Sequence, residues 1–501
     1  MLIDSEYKNG NLICSYVNEK GNIKLKYYPW NKTTKYVITT PNDPEKCDEF
    51  VTWDGKHVKE IYSRYPNKYS VYYFIDSLPK EEQELLFNYY EPNIFFIDIE
   101  TEIIEKKMEP HLAESAVLSI SIVNKNKALV MGVDPLTKDE IKSIENDLNE
   151  KYGKPFDRSW EFKYICLKNE WELLFNFFKT YVPQMAVISG WNVVNFDWVF
   201  LVNRFRNIGG DPSISSPTGL LRKSYRLDDY KEIPAHKLIV DYMDLYKKDA
   251  WNSFVQIKES NALDYAAGQI LGEKFGKVGY AGDLKYLYRT DKRNFMYYNV
   301  VDSILVQLIH EKTKIIDILY GIGTLSRINT QNAMSTLAVT EGILRGKLKD
   351  KKNIILVKDD GLDVDVNDDN VSGGFVLPPV KGMATFTTCY DFSSLYPTTI
   401  RELNISADSY KGQVPIKKID GRKLPDLSAK VSIFNGHQIP IEKDDIILLS
   451  GSVFKNEEGV VAQVMREVYS DRKKYKGMMN EEYEKLEDLK KIKKLIESEI
   501  F

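Results

Sequence analysis

The chain has 501 residues, 43% of them hydrophobic and 28% charged, with a net charge of −4. That is ordinary for globular protein and excludes a surface basic all over, but not a local basic patch or channel. The four cysteines, Cys14, Cys47, Cys166 and Cys389, lie far apart with no CxxC pair, which excludes a typical zinc site and fits a reducing, cytoplasmic compartment. Met1-Leu2-Ile3-Asp4 begins no signal peptide, and no apolar stretch approaches the roughly 20 residues needed to span a bilayer.

The first 92 residues alternate short β-prone runs with polar turns, as at Lys35–Thr40 before Pro41-Asn42-Asp43-Pro44, and predict a small mixed β module. Strands follow at Ile94–Ile99, Val117–Val123 and Met185–Trp191. The last leads into a helical pattern at Trp198–Phe205, and interleaved strands and helices imply an α/β layer. Asn261–Leu319 reads as mostly helical, and 320–370 as polar and mixed. A strand-to-helix unit is expected at Ala384–Leu403. At the C-terminal end, Tyr483, Leu486, Leu489, Ile492 and Leu495 recur at i+3 steps among Glu and Lys, an amphipathic helix expected to cover some core.

Three acidic clusters carry the chemistry. Asp98 and Glu100 end a strand on one face, where two carboxylates repel unless a cation such as Mg²⁺ or Mn²⁺ lies between them. Taken alone, a DxE pair is common. Asp197 falls where a strand turns into a helix, where an Asp is also an ordinary helix cap. Tyr298 and Asp302, four apart on a helix, share a face, as many surface Tyr–Asp pairs do. Together, in this order, Asp-x-Glu, Asn-x-x-x-Phe-Asp and Tyr-x-x-x-Asp resemble the DEDD exonuclease superfamily, tyrosine branch. The resemblance implies that Asp98, Glu100, Asp197 and Asp302 bind two divalent ions about 4 Å apart and that Tyr298 orients the attacking water.

A second motif, Asp391-Phe392-Ser393-Ser394-Leu395-Tyr396-Pro397, reads as a strand turning into a helix, with Pro397 suited to the first helical position. It resembles motif A of family B DNA polymerases, and Arg401–Ser406 resembles the T-even-type bacteriophage branch. The resemblance implies that Asp391 and the Phe392 carbonyl bind catalytic metal. The Ser394 and Leu395 amides would meet the triphosphate, and Tyr396 would exclude a 2′-hydroxyl. Arg472 and Lys476, an i, i+4 pair, resemble the cations of the fingers that hold the β- and γ-phosphates. Ser372-Gly373-Gly374 is similar to the glycine-rich loop between the two sites, and Tyr225–Val240 lies where phage relatives carry a β-hairpin.

No Lys-x-x-x-Asn-Ser-x-Tyr-Gly and no Asp-Thr-Asp run occurs, so motifs B and C are absent from these residues. The family reading implies an α/β multidomain chain in four parts. These are a mixed β N-terminal module (1–92, with a return segment 316–362), an RNase H-like exonuclease domain (93–315), a partial α+β palm (363–458) and a helical partial fingers segment (459–501). It implies primer–template DNA, single-stranded DNA and dNTPs as ligands. It further implies a second polymerase chain supplying motifs B and C and the thumb, with a sliding clamp reached through that chain. The rival expectations are a stand-alone exonuclease whose polymerase remnant holds DNA, a non-enzymatic assembly module, and a chain cut short.

Overall fold

A computed structural model describes residues 1–103, 108–223, 231–248, 258–275, 284–356, 376–379, 381–383, 385–392, 394–419, 422–434 and 436–499. By its contacts the chain divides into two units. One comprises Met1–Thr33, Arg64–Pro66 and Val71–Gly342; the other comprises Thr34–Ser63, Asn67–Ser70 and Ile343–Phe501. Residues expected in one N-terminal module therefore distribute over both.

The first unit opens with an antiparallel meander of β1 (Leu2–Lys8), β2 (Asn11–Val17) and β3 (Ile23–Pro29). Asn9-Gly10 makes the β1–β2 turn with φ of +50° and +73°, the pair of left-handed residues that a tight hairpin of this hand requires. The next strands, β4 (Thr34–Ile38), β5 (Lys46–Thr52) and β6 (His57–Tyr62), belong to the second unit.

The main sheet contains β7 (Ile94–Thr101), β8 (Val117–Asn124), β9 (Lys127–Gly132), β10 (Glu161–Cys166) and β11 (Val187–Gly190). Beyond the short pair β12 (Leu221–Lys223) and β13 (Glu232–Pro234), β14 (Leu238–Asp241) completes it. The order is β10-β9-β8-β7-β11-β14, with β8 antiparallel to both neighbours and the other pairs parallel. The three strands expected from sequence are all present. Ile94 and Phe96 of β7 pack in one apolar cluster with the Lys292–Thr313 helix, while Ile97 and Ile99 pack in another with the Asp197–Asn207 helix. Period-2 alternation thus puts Asp98 and Glu100, which continue the row of Ile94 and Phe96, on the face covered by Lys292–Thr313.

The helical reading of 261–319 is met by Leu263–Leu271, Leu284–Thr290, Lys292–Thr313 and Ile315–Ser326. The 320–370 stretch departs from its mixed reading, because Thr336–Asp350 is a helix. Its buried residues, including Ala338, Leu344 and Leu348, are few among polar ones, so average composition hid a narrow apolar stripe.

In the second unit, β15 (Asn353–Ile354) joins the sheet β15-β5-β6-β4. A five-stranded sheet of order β20-β19-β16-β22-β21 uses β16 (Tyr410–Gln413), β19 (Val431–Phe434), β20 (His437–Pro440), β21 (Ile446–Ile447) and β22 (Ser452–Phe454). β17 (Ile416–Ile419) and β18 (Arg422–Pro425) form a separate hairpin. Leu344, Leu348, Val460 and Val464 form a small core with Trp53 and Ile355 against it. The helix Val460–Glu499 then continues, and Tyr483, Leu486, Leu489, Ile492 and Leu495 are all exposed along it. The expectation that they cover a core is corrected: all five side chains are exposed rather than buried. Among the described residues no helix is long and apolar enough to cross a membrane.

Candidate active sites

Asp98 and Glu100 are half-buried near the end of β7, opposite Ser121 and Ser119 of β8 in the antiparallel ladder. Two serines in an otherwise apolar strand mark a polar strip on this face. The Lys292–Thr313 helix lies over it. Asn299 donates from Nδ2 to Asp98 Oδ2 at 2.8 Å, and its Oδ1 accepts from Ser119 Oγ at 3.0 Å. Ser121 Oγ lies 3.1 Å from the Asn299 carbonyl and 2.7 Å from Ser303 Oγ. Tyr298 and Asp302 occupy the same helix, the first half-buried and the second 6% exposed.

Asp197 reaches this site from the opposite layer. β11 runs parallel to β7 only as far as Ser189↔Phe96. A Cβ at Gly190 would lie 2.5 Å from the Ile97 carbonyl oxygen, so only glycine allows the backbones this close. Past that point the Ile99 N–H donates to Asp197 Oδ1 at 3.1 Å, and the carboxylate takes over where the strand stops. The cap reading of Asp197 is therefore corrected. Phe196 holds the cap position without a side-chain bond, and Asp197 opens the helix and points to β7.

Asp241, at the end of β14, holds the loop that presents Asp197, and no local pattern in the sequence singled it out. Its carboxylate accepts from the N–H groups of Asn192 (3.1 Å), Val194 (3.1 Å) and Met243 (3.0 Å), and from Asn195 Nδ2 at 3.4 Å. Burial pushes Asp241 up to about 6, and the charge of Asp244 adds to it against these donors. Burial likewise pushes Asp197 up to about 7, with the charges of Asp241 and Asp302 acting in the same direction against the Ile99 N–H.

Among the described residues no three His, Cys, Asp or Glu side chains converge closely enough to enclose one ion. The chemistry of the donor set nonetheless fits hard divalent cations. The four acids offer oxygen donors, and Asp197, raised first by burial and further by the charges of Asp241 and Asp302, is the kind of group a bound cation relieves.

Around the second motif the structure gives less. The helix Leu395–Glu402 is present, but 385–392 form no strand, so the strand-to-helix expectation holds only in its second half. No described strand lies beside 385–392 to accept its backbone hydrogen bonds, and a lone strand is not stable. Pro397 is the third helical residue rather than the first, still within the turn whose N–H groups have no helical acceptor. Ser394 precedes the helix with a left-handed φ of +52°. Asp391 is exposed, Phe392 and Tyr396 are 75% and 81% exposed, and Leu395 is 50% exposed. Arg472 and Lys476 are both exposed on Val460–Glu499. The two helices touch where Arg401 lies over the Tyr469 ring at 5.6 Å.

Asn404–Asp408 has a local task that sequence did not reveal. Asn404, at φ +50°, accepts from Gly459 N at 2.8 Å and donates to the Glu457 carbonyl at 2.7 Å. Asp408 receives the Val460 N–H at 3.1 Å and Ser406 receives that of Val461 at 3.2 Å, so this segment caps the long helix.

The Ser372-Gly373-Gly374 loop lies outside the described residues, as do 225–230 of the expected β-hairpin. What is described there is the antiparallel pair β12–β13. It is tied to β1 through Arg222, which pairs with the fully buried Asp4, and through the His236 N–H, which donates to Asp4 Oδ2 at 2.9 Å.

Two family models match the chain. "DNA polymerase family B, exonuclease domain" covers residues 61–252, and "DNA polymerase family B" covers 334–494. Asp98, Glu100 and Asp197 fall in the first stretch, and Asp391, Tyr396, Arg472 and Lys476 in the second. Tyr298 and Asp302 lie between the two matches. A DNA-directed DNA polymerase of Enterobacteria phage T4 is 26% identical over 340 residues, covering 66% of this chain and 35% of that protein. One of Escherichia phage RB69 is 26% identical over 326 residues, covering 63% and 33%. The chain spans about a third of the length of these curated relatives. It is homologous to family B DNA polymerases in an exonuclease portion and a polymerase portion, and related at low identity to the T4 and RB69 type of phage enzyme.

Proposed function

We propose that this chain is a 3′→5′ proofreading exonuclease joined to the first part of a family B polymerase core, and that a second polypeptide bearing motifs B and C completes the synthetic site. The observation that carries the exonuclease reading is the insertion of Asp197 against the Ile99 N–H, between Asp98 and Glu100. It sets Asp197 against the backbone between two acids that lie 97 to 99 residues away in sequence, on a strand inside the exonuclease-domain match.

When bound by Asp98, Glu100, Asp197 and Asp302, two Mg²⁺ or Mn²⁺ ions would activate water and stabilise the leaving 3′ oxygen. The side chains do the positioning. Asp197 fixes the edge of β7, Asn299 fixes Asp98, and the Tyr298 hydroxyl orients the attacking water. At the second site, Asp391 and the Phe392 carbonyl would hold metal, and the Ser394 and Leu395 amides would face the triphosphate. Tyr396 would line the sugar, and Arg472 with Lys476 would hold the phosphates. The exposure of Phe392, Leu395 and Tyr396 supports a partner that covers this face; primer–template DNA and dNTPs are the ligands, and a sliding clamp would be reached through the partner.

The test uses purified chain and 5′-labelled single-stranded DNA. Shortening from the 3′ end with Mg²⁺ or Mn²⁺, stopped by EDTA and slowed at least tenfold by Tyr298→Phe, is the expected result. A Tyr298→Phe rate within about twofold of the parent would assign that residue to packing alone. Primer extension is expected only with a polypeptide carrying motifs B and C, and lost again with Asp391→Ala. Asp391-dependent extension by the 501 residues alone would overturn the two-polypeptide reading.

A further inference from the structure

Asn299 lies beside the residues the family resemblance assigns, and its amide has one permitted orientation. The side chain is fully buried, as are Ser119, Ser121 and Ser303. Ser119 donates its single hydroxyl proton to Asn299 Oδ1 at 3.0 Å. The Nδ2 end must then face Asp98, where it donates to Oδ2 at 2.8 Å. A flipped amide would set a carbonyl oxygen against a carboxylate oxygen and leave Ser119 with no acceptor. On the other arm, Ser121 Oγ donates to the Asn299 carbonyl and shares a 2.7 Å hydrogen bond with Ser303 Oγ. That arm fixes the helix backbone on β8 and does not touch the Asp98 carboxylate.

We infer that Asn299, oriented by Ser119, is a positioning residue that locks the Asp98 carboxylate for divalent-cation binding, an inference that rests on the exonuclease reading above. A carboxylate at a strand end can rotate about two side-chain bonds. Holding one oxygen with an N–H restrains the carboxylate towards a single rotamer. Ser119 stands opposite Glu100 in the ladder, so the chain Ser119–Asn299–Asp98 runs from the ladder partner of one strand acid to the carboxylate of the other. Groups that orient metal ligands in this way typically change metal affinity by about 10- to 100-fold when removed.

The measurement is Mn²⁺ binding to the full chain without DNA, by electron paramagnetic resonance, beside thermal melting. Asp98→Ala defines the Asp98-dependent site. Asn299→Ala should weaken binding there by about tenfold or more, and Asn299→Ser serves if the alanine variant folds poorly. Ser119→Ala should weaken it by a smaller factor, about threefold. Because Ser119 acts through Asn299, the double variant should bind no more weakly than Asn299→Ala alone. Ser303→Ala should lower the melting temperature and leave Mn²⁺ affinity unchanged. The inference is overturned if Asn299 variants melt earlier but keep their Mn²⁺ affinity, or if the Ser119→Ala loss adds in full to that of Asn299→Ala. Loss of Mn²⁺ in Asp98→Ala but not in Asn299→Ala would sink this inference alone. Parental Mn²⁺ binding in Asp98→Ala would sink the exonuclease reading with it.

Discussion

Ile94–Glu100 and Phe386–Phe392 both bring a carboxylate among aromatic and aliphatic neighbours to a reacting site in the proposed function, yet they end in different structures. The first is β7, paired on both sides, with Phe96 2% exposed. The second pairs with nothing described, and Phe386 and Tyr390 are fully or almost fully exposed. The local patterns are alike; the neighbours differ. A strand is a property of a sheet, because its backbone groups and both faces need partners that its own residues cannot supply.

The sharpest way to break this comparison is a pair of single substitutions. Asp98→Ala should reduce exonuclease turnover by roughly 10²- to 10³-fold, the scale of losing one charge-stabilising group. Asp391→Ala should leave exonuclease turnover unchanged within about twofold, as a change to an exposed residue that takes no part in that chemistry. Equal losses in both, measured on one labelled oligonucleotide, would mean the two carboxylates share a site.

Stability should divide the same way by a smaller amount. Asp241→Ala removes a buried acceptor from the N–H groups of Asn192, Val194 and Met243 and should cost about 3 kcal/mol or more. Asp391→Ala should stay within about 0.5 kcal/mol. Denaturant unfolding of the two variants makes the comparison. An Asp241→Ala protein as stable as the parent would show that the 191–197 loop is held by packing rather than by this carboxylate.

The smallest expected effect is a pH response confined to the buried region. Lys237 is 1% exposed and donates to the Pro183 and Met185 carbonyls at 2.6 and 2.8 Å. Burial lowers its ammonium to about 7. Between that value and the ordinary 10.5 the unfolded chain binds a proton that the folded chain has released, so stability should rise with pH across this window. Lys237→Met should flatten the melting-temperature profile between pH 7 and 10 by roughly 2–4 °C. An identical slope in parent and variant would show that the two carbonyls keep the ammonium charged.

Sequence by itself determined the local features. The strands expected from 94, 117 and 185 and the helix that carries Tyr298 follow from short-range periodicity, while the set Asp98, Glu100, Asp197, Tyr298 and Asp302 is legible through its order and its family resemblance. The tertiary structure decided what each polar group meets. Asp197 looked like a helix cap and serves Ile99; Asn299 had no signal beyond its neighbour Tyr298, and Ser119 none beyond breaking an apolar strand. Asp241 and Asn404 each hold a segment about 50 residues away in sequence. It also decided that 385–392 form no strand and that Tyr483–Leu495 face outward. Periodicity reports which side of an element is apolar, whereas the partner of a buried amide or carboxylate is set by a distant segment, such as the 201 residues between Asp98 and Asn299, and leaves no local trace.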